Sequence, residues 1–146
     1  MHIFRRMTPY TLILTCITLV ASGCAHLGES GNETSAAGFY DGHWYGPNPE
    51  NALGQLTCTI TSTGDDTWDA LFFATFGGQG EYEVELKGVT EGDTIIFEGS
   101  VDLGVTSGGV FDWGGTIKGE VFDGSYTSKF INGTFKMSKA EKPADQ

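Results

Sequence analysis

The chain has 146 residues, room for one domain of ordinary size and too little for two. Charged residues make up 18% of it, 22 residues are Gly, and 8 basic against 19 acidic groups give a formal net charge of −11. Both arginines, Arg5 and Arg6, lie near the N-terminus, so a chain cleaved before Cys24 keeps six lysines against all the acidic groups, a net of −13 that repels phosphate backbones and excludes nucleic acid as a partner.

Residues 1–23 read as an address and not as fold. Arg5 and Arg6 form a short positive region, and residues 10–21 (YTLILTCITLVA) are an apolar run of signal-peptide length, too short to span a membrane. Ala21-Ser22-Gly23-Cys24 follows. This box resembles the cleavage site of bacterial lipoproteins, an apolar residue, two small residues and an obligatory Cys. The resemblance implies that Cys24 becomes the lipidated first residue of the mature chain, anchored in the membrane by its acyl chains. Ala25 is not the Asp that signals inner-membrane retention, which points to the outer membrane of a bacterial envelope, facing the periplasm or the cell surface. The alternative is an ordinary cleaved signal peptide with an incidental Cys. With Cys16 discarded and Cys24 acylated, only Cys58 remains in the body, so neither an intramolecular disulfide nor a paired-Cys metal site is available. Cys58 holds an alternating apolar position and reads as a small buried hydrophobe.

Residues 24–37 are small, polar and without period, a flexible tether. Residues 38–137 form the body, and 138–146 a polar tail with Pro143. The body reads as strands throughout. Leu56, Cys58 and Ile60 alternate with threonines, Tyr82, Val84 and Leu86 with Glu81, Glu83, Glu85 and Lys87, and Ile95, Phe97, Gly99 and Val101 mostly with polar residues. The parity Trp113, Gly115, Ile117, Gly119, Val121 continues the pattern. Turn chemistry stands at Gly64-Asp65-Asp66, Gly77-Gly78, Glu91-Gly92-Asp93, Ser107-Gly108-Gly109, Asp123-Gly124 and Asn132-Gly133, the last suggesting a type I′ hairpin. The runs predict about eight strands, near 40–46, 54–62, 67–76, 80–88, 93–103, 110–121, 123–130 and 133–138. Short connections predict an all-β antiparallel meander, and eight strands suit a small closed barrel, with a β-sandwich as the alternative architecture. Gly-x-aromatic recurs at Gly42/Trp44, Gly80/Tyr82, Gly109/Phe111, Gly124/Tyr126 and Gly133/Phe135. A glycine two residues from a ring shares its face, and makes room there for a ring from the next strand.

Gly42-His43-Trp44 resembles the Gly-x-Trp of the calycin group, lipocalins and avidins. The ending from Gly119 through Gly124, Tyr126, Gly133 and Phe135 to Met137 is similar to the last hairpin of small bacterial barrels of that type. The resemblance implies a calycin-like barrel and carries no binding residues with it. The lipocalin pattern expects a basic residue late in the barrel, packing on that Trp, and here the chain departs from it: it has no Arg there, only Lys118, Lys129 and Lys136. Trp44 reads most simply as a core aromatic closing the barrel floor.

Catalytic motifs are absent: there is no nucleophile elbow, no His-Glu-x-x-His and no phosphate loop, and His43 should face solvent. Asp65, Asp66 and Asp69 read as a solvated hairpin tip, so neither metal nor cofactor is expected, and no enzyme. One reading is a binder of a small apolar or amphipathic ligand, with Trp44, Trp68, Phe72, Tyr82, Phe97, Trp113 and Tyr126 as pocket candidates among inward residues that also include Leu56, Ile60, Phe76, Val84, Leu86, Ile95 and Ile117. A second is a solid-cored interaction or inhibitor module, docking a basic envelope protein on its acidic surface or through Leu71, Phe73 and Ile96, which fall on outward parity unless a β-bulge shifts them. A third is an envelope scaffold without a discrete ligand.

Overall fold

The computed structural model describes residues 35–75 and 81–144. Cys24, the segment before it, most of the tether, Phe76, Gly77, Gly78 and Gly80 lie outside the described residues. The body is eight antiparallel strands: β1 (Gly38–Tyr45), β2 (Ala52–Ser62), β3 (Thr67–Thr75), β4 (Glu81–Glu91), β5 (Thr94–Asp102), β6 (Val110–Lys118), β7 (Val121–Ser128) and β8 (Asn132–Ala140). Each pairs with the next, and β8 returns to β1, with Trp44 opposite Phe135 and Gly42 opposite Met137, closing the barrel. Closure decides between the two expected architectures and removes both free edges. β8 runs through Ser138, Lys139 and Ala140, so these residues belong to the barrel and not to a polar tail.

Period-two alternation places Leu56, Cys58, Ile60, Phe72, Val84, Leu86, Phe97, Trp113, Ile117 and Tyr126 in the core. The middle of the barrel is filled by rings. Phe122 lies 5.3 Å from Phe72, 5.1 Å from Phe97, 5.4 Å from Phe135 and 6.3 Å from Tyr40 in tilted or edge-on geometry, the arrangement the ring quadrupole favours.

Two of the expected turns are not turns. The β6–β7 connection is at Gly119, whose φ of +62° only a glycine tolerates well, and Glu120. Asp123-Gly124 lies within β7, and Gly124 faces Phe135 across the ladder. The turn at 119–120 also resets parity, so Val121 points outward and Phe122, absent from the expected inward set, becomes a central core ring. Asn132-Gly133 likewise opens β8 instead of forming a type I′ turn: Gly133 pairs with Tyr126, and the connection before it is closed by Ser128 N donating to Ile131 O at 2.7 Å.

These glycines mark close approach. A Cβ on Gly124 would stand 2.1 Å from Phe135 Cζ, and one on Gly133 2.4 Å from Tyr126 Oη. Ring opposite glycine recurs at Trp44↔Gly54, Gly88↔Phe97 and Gly99↔Trp113. Pairing a large side chain with none lets a narrow barrel hold many rings.

Candidate functional site

The two ends of the barrel differ. At one end the incoming chain packs Ala36 on the core, and Tyr40 Oη donates to Ala36 O at 3.0 Å. Trp68 belongs to this end, its Nε1 donating to Thr90 Oγ1 at 2.9 Å. The opposite end holds a half-open cavity of about 190 Å³. Its wall is built from Trp44 on β1, Ala74 on β3, Tyr82 and Val84 on β4, Phe111 and Trp113 on β6 and Tyr126 on β7, with Leu103, Thr106, Ser107, Gly108 and Ile131 from the loops. No charged side chain is among them.

The cavity exists because the wall parts between β4 and β5. These strands pair only from Lys87↔Glu98 to Glu91↔Thr94. Beyond that point Glu81–Leu86 pair with β3 alone and Gly99–Asp102 with β6 alone. The β5–β6 loop folds over the parting. It is a single 3₁₀ turn, Val105–Ser107, flanked by Gly104, Gly108 and Gly109 at φ of +82°, +105° and +77°. Asp102 Oδ1 accepts from Gly104 N at 2.9 Å, and Gly109 N donates to Gly104 O at 2.8 Å, so the loop is braced from within. A side chain at 108 would stand 2.9 Å from the Phe111 ring. Tyr82 and Ser107 bridge the parting through their hydroxyls, 3.4 Å apart.

The polar atoms of the wall are mostly spoken for. Trp44 Nε1 donates to Thr75 O at 2.9 Å, and Tyr126 Oη donates to Tyr45 O at 2.7 Å. Burial pushes the Tyr126 hydroxyl up to about 12, so it stays a donor at any physiological pH. Trp113 is stacked on Tyr126, with ring centroids 5.3 Å apart and planes at 30°, and backed by Phe135 at 5.6 Å and Phe72 at 5.8 Å. Its Nε1 is buried with no acceptor among the described residues.

The structure thus brings together Trp44, Tyr82, Trp113 and Tyr126 of the seven pocket candidates. Phe72 lies behind Trp113, Phe97 is fully buried in the ring cluster, and Trp68 stands at the other end, so these three do not line the cavity. Trp44 is half-buried at the mouth and edge-on to Tyr126 at 5.6 Å, which corrects its expected place on a closed floor. Leu103, Phe111, Ser107 and Ile131 were not expected in the wall. Gly-x-aromatic at Gly109/Phe111 was the available signal for one of them, while the loop residues carry none.

No bulge occurs in β3, and Leu71 and Phe73 face outward. Phe73 is 43% exposed, whereas Leu71 and Ile96 are half-buried. The three do not form one patch. Leu71 and Phe73 sit beside Glu85 and Glu83, while Ile96 sits beside Val89, four residues further along β4. His43 is exposed on the outer face. Asp69 pairs with Lys87 at 3.0 Å, and among the described residues no acidic, His or Cys group forms a metal-binding cluster.

No protein-family model matches the chain, and no curated protein does. Solved structures do. A redesigned β-barrel aligns with a TM-score of 0.55 at 10% identity, over 75% of this chain and 95% of its own. A Mycobacterium tuberculosis protein, Rv2717c, aligns at 0.46 and 12% identity, over 73% and 93%. A variant of the fluorescent protein UnaG aligns at 0.42 and 12%, over 73% and 96%. The first of these agrees with the fold described above, a small closed barrel.

Proposed function

We propose that this protein is a membrane-anchored envelope lipoprotein whose barrel binds a small apolar or amphipathic ligand without transforming it. The observation that carries the binding role is the mouth cavity. A barrel evolved only as a solid module has no reason to stop its ring packing short of one end and roof the space with a pre-braced loop. The cavity of about 190 Å³ exceeds the roughly 150 Å³ of an engineered apolar cavity that takes benzene, and lies below the roughly 300 Å³ at which drug-sized pockets begin. The calycin-like sequence features support the same reading. The anchor rests on the Ala21-Ser22-Gly23-Cys24 box, and the outer membrane on Ala25. A docking role for Leu71, Phe73 and Ile96 has less behind it, because the register separates them.

Native mass spectrometry of the protein purified gently from its own envelope tests the binding role. A discrete added mass, lost on denaturation, is the expected result. A protein that stays empty after exposure to an envelope extract would refute it. Metabolic labelling with a fatty acid tests the anchor: label should enter the wild type and not Cys24→Ser, and equal labelling of both would refute it.

A further inference from the structure

The β5–β6 and β7–β8 loops stand side by side at the mouth. Phe111 pairs with Ser128 at their bases, a Cβ on Gly108 would stand 3.9 Å from Ser128 Oγ, and Leu103 and Ile131 from the two loops share the cavity wall. These loops carry the two most exposed large apolar side chains among the described residues, Val105 at 94% and Phe130 at 73%. Val110, where the first loop enters β6, is exposed as well. Residues 103–110 (LGVTSGGV) and 130–132 (FIN) include no charged side chain. Single exposed apolar residues are ordinary. Here three of the five such residues described gather on one rim. Val105 is also held outward by design of the turn, since Gly104 O accepts from both Ser107 N and Gly109 N and fixes the backbone around it.

The opposite end has the reverse character. It presents Asp65 and Asp66 after β2, Glu91 and Asp93 at the β4–β5 turn and Glu120 at the β6–β7 turn, with Lys118 paired to Asp93 at 2.9 Å. A bilayer containing anionic lipid repels that end. The rim offers it Lys129, whose Nζ lies 5.6 Å over the Phe130 ring, and a ring beside a cation suits the headgroup boundary. The carboxylates Glu50 and Glu81 belong to the β1–β2 connection and the start of β4, so the favourable contact is one-sided. The anchor proposed above, on which this inference rests, can deliver the rim to the membrane. The chain enters at the end away from the mouth, where Ala36 packs, and residues 25–34, between Cys24 and the described chain, reach about 33–36 Å when extended. A nine-residue strand such as β6 is roughly 30 Å long, and its tilt in a barrel makes its height less. We propose that the β5–β6 and β7–β8 loops dock the barrel mouth on the phospholipid bilayer that holds the anchor, with Val105 and Phe130 entering the headgroup boundary. The uncharged cavity then lies against the phase in which an apolar ligand concentrates.

The test uses the mature protein purified from its own envelope and reconstituted into vesicles of phosphatidylethanolamine and phosphatidylglycerol. The environment-sensitive dye NBD is attached through Asn132→Cys beside the rim, or through Asp66→Cys at the opposite end. Both positions are exposed, and Cys58 is buried and does not compete for the dye. Flotation with the vesicles reads the anchor, and the dye reads the rim. In floated protein the dye at position 132 should emit more strongly and further to the blue than at position 66, and a spin-labelled lipid should quench it. Val105→Asp combined with Phe130→Asp should return it to its emission in water and leave flotation unchanged. Both side chains point into solvent, so Tm should hold; if it falls, quenching with the native rim decides alone. Floated protein whose dye at 132 is as water-like as at 66, dyes equally lipid-like at both ends, or a signal that the double change does not move in a folded variant would overturn the docking and leave the anchor standing. Protein that does not float would overturn the anchor and the docking together.

Discussion

Gly88 lies on β4 directly opposite Phe97 on β5. A Cβ at position 88 would stand 2.5 Å from Phe97 Cε1, 2.7 Å from Cδ1 and 2.9 Å from Cζ. All three atoms belong to one ring, and Gly88 is not among the left-handed glycines, so Gly88→Ala meets a side-chain obstacle and no backbone strain. The ring is fully buried and lies 5.1 Å from Phe122, so it has little space into which to move. Overpacking of this kind costs about 1–3 kcal/mol. Phe97→Leu alone leaves a void and should cost about 1–2 kcal/mol, part of the roughly 3–5 kcal/mol of a full Phe-to-Ala truncation. In the double variant the new methyl enters space the ring has vacated, and Ala replaces a strand glycine that is itself worse by about 0.5–1 kcal/mol. The double variant should therefore be at least as stable as Phe97→Leu, a coupling of about 2 kcal/mol in favour of the pair. Urea unfolding followed by tryptophan fluorescence measures it, and Tm reports the same order, with about 4–8 °C per kcal/mol for a domain of this size. Costs that add within about 0.5 kcal/mol would refute the reasoning, since they would mean that glycine stands opposite the ring for some reason other than space.

The buried tyrosines predict alkaline sensitivity. Burial pushes Tyr126 up to about 12, and burial, then the neighbouring Cys58 and Glu120, push Tyr40 up to about 12. An unfolded tyrosine ionises near 10.0, so the stability that each protonated hydroxyl contributes is fully present below about pH 10 and is lost as pH rises through about 12. The stability difference between wild type and Tyr126→Phe, from urea midpoints, should shift by about 3 kcal/mol against the wild type across that window; a difference that stays constant from pH 9 to 12 would count against burial of the hydroxyl. Cys58 is fully buried, and burial pushes its thiol well above the ordinary range. A thiol-exchange reagent should label it only in denaturant, and stoichiometric labelling of the native protein within minutes would contradict the closed wall at β2.

What the sequence carried was local. Strand parity follows from residues two apart, and at Gly92 or Ser107-Gly108-Gly109 the chain turns where its own composition demands it. What it did not carry was the second use of glycine. Gly124 and Gly133 look like turn residues beside Asp123 and Asn132, yet each is defined by neighbouring strands, Gly124 by the Phe135 ring and Gly133 by the Tyr126 ring together with the Tyr45 carbonyl. That partnership exists only once the register is set. Misplacing the β6–β7 turn by a few residues then hid Phe122, because one shift in parity exchanges inside for outside. Trp68, Phe72 and Phe97 were rightly inward, but parity says nothing about height along the barrel, and height separates a pocket residue from a packed one.

The same large–small pairing that makes the middle solid also explains why one end is open. Where β4 and β5 pair, Gly88 admits Phe97 and the wall stays closed. Past Glu98 the two strands no longer share hydrogen bonds, Ala74 lies opposite Tyr82 across β3 and β4, and no ring from β5 reaches into the space beyond Gly99. The loop from Leu103 to Gly109 replaces the missing packing with backbone braced by its own hydrogen bonds, and among the described residues it is hydrogen-bonded to β4 through the long Tyr82–Ser107 contact. That contact, 3.4 Å between two hydroxyls, is a long hydrogen bond, and it spans a stretch where β4 and β5 share no ladder among the described residues.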